Sequence, residues 1–137
     1  MTQTIELSID SKLEYVETVA SITKRVTDEL GFDEDAAGWI ELAVHEAVIN
    51  AIVHGNRSDA DKKVDVRFVT GNGTLTIYVR DYGKGFDPNQ LPDPTNSDNL
   101  LNPSGRGIFY MRTFMDEVEH SIHPEGGSVV RMKKIKS

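Results

Sequence analysis

Glu46-Ala47-Val48-Ile49-Asn50, followed by His54-Gly55-Asn56, is the stretch on which the reading of this chain turns. Four residues along a helix are about 40° of rotation and about 6 Å of rise, so Glu46 and Asn50 leave the same face. Leu42 and Val53 lie close to that stripe and are expected to anchor it to a core. Asp33 suits the N-cap, and Glu34 and Asp35 in the first turn suit the helix dipole. The helix is expected to run to about His54, with Gly55 as its terminator.

Outward from this helix, strands come in groups. Residues 4–9 alternate apolar and polar, with Ile5, Leu7 and Ile9 on one side, the period of a half-buried strand. Leu13, Val16, Val19, Ala20, Val26 and Leu30 recur at three- and four-residue steps, a helix stopped by Gly31. Val64, Val66 and Phe68, then Leu75, Ile77 and Val79, alternate on either side of Gly71-Asn72-Gly73, a hairpin with a slightly long loop. Residues 86–104 hold four of the chain's five prolines and have neither period, which predicts a long loop of the binding or lid type. A helix over residues 107–115 and strands near 117–122 and 128–134 complete the order β-α-α-ββ-loop-α-ββ. Grouped strands favour an α+β two-layer sandwich over a doubly wound parallel sheet.

The chain has 137 residues, enough for one domain with a proper core, residues 1–137, and too few for two. No apolar run approaches the eighteen or so residues of a membrane span, and no basic-then-apolar leader opens the chain. With no cysteine, disulfides and thiolate metal sites drop out, which suits a cytoplasmic location. Fifteen basic and 22 acidic residues leave a net charge of -7, which argues against general nucleic-acid binding.

Three motifs carry chemistry. An Asn side-chain oxygen suits a nucleotide-bound Mg²⁺, which takes one or two protein oxygens plus phosphates. Glu46, one turn away, is placed to accept a proton from an attacking hydroxyl or water. Taken alone, the pair fits an ordinary solvent-facing stripe. His54 lacks a second ligand at metal spacing and reads as a helix-end or pocket-lining residue. Asp81-Tyr82-Gly83-Lys84-Gly85 follows a strand, so Asp81 can accept a hydrogen bond from an exocyclic amine such as adenine's while the glycines allow close approach. A turn that merely ends the hairpin is its plainer reading. Gly105-Arg106-Gly107 runs into a helix, and a glycine turn at a helix N-terminus suits phosphate, to which Arg106 adds charge; a solvated arginine is the level alternative. No Gly-x-x-x-x-Gly-Lys-Ser/Thr or Gly-x-Gly-x-x-Gly occurs.

In this order and spacing the motifs resemble the ATP-binding core of the Bergerat fold. The resemblance is strongest in residues 46–56 (EAVINAIVHGN), 81–88 (DYGKGFDP) and 105–118 (GRGIFYMRTFMDEV). From end to end the chain is similar to the bacterial anti-sigma-factor serine kinases of that superfamily. The resemblance implies a mixed, mainly antiparallel sheet with helices on one face, and ATP with Mg²⁺ bound between helices and a lid. It implies Glu46 as general base, Asn50 as metal ligand and Asp81 as the adenine partner. Gly83 and Gly85 would shape that pocket, and Gly105 and Gly107 would meet the phosphates. Ser128, where the family often has threonine, would assist Asp81 through a water. The implied partners are a STAS-domain anti-anti-sigma protein, phosphorylated on serine, a sigma factor or similar regulator, and a second copy in a homodimer. Neither nucleic acid nor membrane is implied.

A serine kinase that also sequesters a regulator leads, with an ATP-gated binder lacking kinase activity as its alternative. A histidine-kinase catalytic domain lacks its phosphoacceptor hairpin here, and gyrase-like ATPases need transducer domains for which 137 residues leave no room.

Overall fold

The computed structural model describes residues 2–84 and 103–136, with side chains from Phe109 onward in the second segment. Strand β1 (Gln3–Asp10) leads through a short 3-10 turn into helix α1 (Val16–Leu30). Gly31 ends α1 in the left-handed region at φ 78, where glycine carries no Cβ penalty. Helix α2 (Glu34–Asn50) starts at Asp33, whose carboxylate accepts the Ala36 N–H at 2.8 Å, the expected cap. Strands β2 (Lys63–Gly71) and β3 (Thr74–Arg80) form the hairpin, followed by helix α3 (Pro103–Phe114) and strands β4 (Glu117–Ile122) and β5 (Ser128–Ile135). The hairpin is tighter than the sequence suggested. Gly71 and Thr74 pair with each other, leaving Asn72 and Gly73 as a two-residue turn with both φ positive.

The sheet order is β1-β2-β3-β5-β4, and every described pairing is antiparallel. The mixed element of the expected sheet therefore has no counterpart among the described strands. Register places Val66 between Leu7 and Val79, and Phe68 between Ile5 and Ile77. One face of the sheet is thus an apolar layer of Val64, Val66, Phe68, Leu75, Ile77 and Met132, each almost fully buried. The helices supply Val19, Ile40, Val44, Val48, Ile52 and Met111 to the same cluster. Burying each such side chain contributes about 1.5–3 kcal/mol before the cost of chain ordering is set against it.

Helix α2 is the central element, packed on both α1 and α3. Its contact with α3 includes a stacked Trp39–Phe114 pair, ring centroids 3.7 Å apart and 6° from parallel. The stretch Glu34–Gly55 has the length and hydropathy of a membrane span, yet half of it is buried inside the molecule, the position of a core helix. The residues that anchor it are Ala43, Val44, Ala47 and Val48. Leu42 is only half-buried and Val53 is 38% exposed, so the anchoring stripe lies beside the one expected.

Candidate functional site

Asn50 closes α2, and the chain then continues as a π-turn, Ala51–Gly55, instead of further α-helix. The Asn56 N–H bonds to the Ala51 carbonyl at 2.8 Å, five residues back. Such single-turn insertions recur at functional sites because they re-aim the residues beyond them. Asn50 is 3% exposed, and neither its Nδ2 nor its Oδ1 has a hydrogen-bond partner among the described residues. An unpaired buried amide costs free energy, which makes Asn50 the candidate to face a ligand. The side chain lines a small cavity of about 20 Å³, shared with Ala47, Asp81, Met111, His120 and Ser128. One turn before it Glu46 keeps its carboxylate partly exposed, with Oε1 3.6 Å from His45 Nδ1.

Asp81 follows β3 directly and is 2% exposed. Its Oδ1 accepts the N–H groups of Gly83 at 3.0 Å and Ser128 at 3.1 Å, while its own N–H donates to the Ser128 carbonyl at 2.9 Å. Burial pushes its pKa above the usual carboxylate range, and the two backbone N–H groups pull it part of the way back. Both Oδ1 bonds leave Oδ2 to face Gly55.

Three glycines form the socket. A Cβ at Gly55 would sit 2.2 Å from Asp81 Oδ2, one at Gly83 1.6 Å from the Gly55 carbonyl oxygen, and one at Gly127 2.0 Å from the Asp81 carbonyl oxygen. Gly55 is therefore glycine because the Asp81 carboxyl leaves no room for a side chain, not because it stops a helix. Gly127, at φ 84, needs glycine for its backbone as well. Gly83→Ala forces two backbone segments apart and is expected to cost about 1–3 kcal/mol or more, read as a lower urea midpoint. An unchanged midpoint would contradict the socket.

The other sequence candidates divide. Ser128 meets Asp81 through its backbone N–H and carbonyl. Gly85 and residues 86–102 of the expected lid lie outside the described residues. Gly105, Arg106 and Gly107 lie inside α3, which starts at Pro103 and not at Gly107, so they occupy its first turns and do not precede it. Proline is well suited to open a helix because its missing N–H is unsatisfied there in any case. His54 ends up in the π-turn, where burial holds its pKa below the ordinary histidine value. Among the described residues no group of three or more His, Asp or Glu side chains could hold a metal by itself. A nucleotide-bound cation held by Asn50 alone needs no such group.

The two-layer α+β fold sets a buried acid at a strand end beside a central-helix amide that is unpaired among the described residues, an arrangement that suits a bound nucleotide. Comparison with known proteins makes the class specific: residues 9–134 match the histidine kinase-like ATPase domain, and the chain belongs to that family. It is similar to the serine-protein kinase RsbW of Bacillus subtilis (strain 168), 30% identical over 136 residues, covering 95% of this chain and 84% of the relative. It is also similar to the anti-sigma F factor of Heyndrickxia coagulans, 38% identical over 97 residues, 69% of this chain and 66% of that one. A crystal structure of the RsbU and RsbW domains of Rv1364c from Mycobacterium tuberculosis has the same fold, with a TM-score of 0.70 at 19% identity. That match covers 98% of this chain and 32% of the other.

Proposed function

We propose that residues 1–137 form a single cytoplasmic domain that is an ATP-dependent protein serine kinase and an anti-sigma factor. It phosphorylates a serine of a STAS-domain anti-anti-sigma partner and sequesters a sigma factor or similar regulator, acting as a homodimer. The observation that carries this reading is the placing, one turn apart on α2, of a buried unpartnered amide at Asn50 and a partly exposed carboxylate at Glu46. A site that only sensed nucleotide would have no use for a base beside its metal ligand. The serine-kinase and anti-sigma names of the relatives support the same reading.

In this account Asn50 Oδ1 holds Mg²⁺, and the metal when bound neutralises charge on the phosphates. Asp81 accepts the adenine amine, with Gly83 and Gly85 shaping that pocket and Ser128 holding Asp81 in place. Gly105, Arg106 and Gly107 meet the phosphates at the start of α3. Glu46 takes the proton of the partner's serine hydroxyl as its oxygen bonds to the γ-phosphorus, and the bond to ADP breaks.

Asn50→Ala is expected to abolish Mg²⁺-dependent nucleotide binding. It should leave the stability of the nucleotide-free protein within about 1 kcal/mol of wild type, because the amide has no hydrogen-bond partner to lose among the described residues. Calorimetry with and without EDTA, beside a urea melt, reads both. The function itself is tested by mixing the protein with Mg-ATP and candidate STAS-domain proteins, then following complex formation and transfer together. Complex formation without transfer would instead favour an ATP-gated binder.

A further inference from the structure

Asn56 is 1% exposed, and its amide ties three separate parts of the chain together. Nδ2 donates to Ser11 Oγ at 2.6 Å and to the Lys63 carbonyl at 2.9 Å, while Oδ1 accepts the Tyr82 N–H at 2.8 Å. The orientation of the amide follows from its neighbours. Ser11 Oγ spends its proton on the Lys62 carbonyl at 2.7 Å, so it presents a lone pair, and Lys63 offers only an oxygen. Tyr82 offers only an N–H. An amide has the two donors and the acceptor that this set requires.

The bond to Tyr82 fixes the peptide that joins it to Asp81. The other side of that peptide, the Asp81 carbonyl, lies against Gly127 so closely that a Cβ there would be 2.0 Å away. Held on both sides, the peptide sets the direction in which the Asp81 side chain leaves the strand. The π-turn puts Asn56 within reach. Without its extra residue, position 56 would be swung about 100° around the helix axis.

We propose that Asn56 is a positioning residue for nucleotide recognition, acting through the Asp81–Tyr82 peptide on the carboxylate that selects adenine. The proposal rests on the adenine reading of Asp81 given above, and the test separates the two. Binding of ADP and of IDP, whose base carries a carbonyl where adenine has its amine, is measured by calorimetry. Wild type is expected to favour ADP by about tenfold or more. Asn56→Ala, folded by circular dichroism, is expected to lose most of that preference, to about threefold or less. Asn56→Asp keeps an acceptor for the Tyr82 N–H and is expected to retain the preference while melting at a lower temperature. Ser11→Ala removes one Nδ2 partner but leaves the Tyr82 bond, so it too should lower the melting temperature with the preference intact.

Equal binding of ADP and IDP by wild type would remove the adenine reading and this proposal with it. A discriminating wild type whose preference survives in folded Asn56→Ala, or is lost equally in Ser11→Ala, would overturn the positioning role alone. Hydrogen exchange of the Tyr82 amide in the wild-type protein supplies an arm that needs no variant. Slow exchange is expected, and exchange at the rate of an open loop would overturn the proposal.

Discussion

Glu46→Gln is expected to lower phosphoryl transfer by about 10²–10⁴-fold, the usual contribution of a positioned general base. Glutamine has almost the same size and helix propensity as glutamate, so α2 should be undisturbed. The side chain's one ion-pair contact among the described residues is with His45 at 3.6 Å, and weak pairs of this kind contribute little. Nucleotide affinity should therefore stay within about twofold of wild type, since the lost interaction belongs to the transition state and not to the bound ground state. Transfer from radiolabelled ATP, measured beside calorimetric ADP binding, reads the two effects separately. A variant that transfers phosphate at the wild-type rate would show that Glu46 is not the base.

Asp81→Asn is expected to weaken adenine nucleotide binding by about tenfold or more while making the nucleotide-free protein more stable at neutral pH. The two effects have one cause. Asparagine keeps an Oδ1 for the Gly83 and Ser128 N–H groups, but its Nδ2 presents donors where the adenine amine needs an acceptor. It also removes a carboxylate whose charge is disfavoured by burial. Because the folded-state pKa of Asp81 is raised, the folded protein holds this proton more tightly than the unfolded chain does. Its contribution to stability is therefore fully present at low pH. It is lost as pH rises from the unfolded value of about 3.9 through the raised folded one. Nucleotide binding should run the other way and weaken as pH falls through the same window, as the acceptor becomes protonated. Melting curves from pH 4 to 8, with and without Mg-ADP, test both slopes, and Asp81→Asn should flatten each of them. A variant less stable than wild type at neutral pH would contradict the assignment of burial as the dominant cause.

The parts of this molecule that were legible in its sequence are those set by local period. Val64, Val66 and Phe68 announce a strand because alternate side chains face one layer, and the structure places all three in the core. Asp33 as a cap and Gly31 as a stop depend only on neighbours a few residues away. What stayed hidden depends on distant partners. Gly55 reads in sequence like any helix-ending glycine, and its reason, the Asp81 carboxyl pressed against it, lies 26 residues further along. Asn56 is part of the stretch that resembles the family, but its role is not legible there, because its partners Ser11, Lys63 and Tyr82 come from three distant parts of the chain. The backbone bonds between Asp81 and Ser128 have no sequence signal either, because they depend on strand β5 lying beside the end of β3. The start of α3 lies earlier than residue 107, because Gly105 and Gly107 read locally as a turn whereas Pro103 opens the helix before them.

Phosphopeptide mapping of a STAS-domain partner after incubation with this protein and Mg-ATP decides between a serine kinase and an ATP-gated binder. A single acid-stable phosphoserine on the partner, absent with Glu46→Gln, is the expected result. Acid-labile phosphate on a histidine of this chain, or a partner that binds in the presence of ATP and stays unmodified, would contradict it.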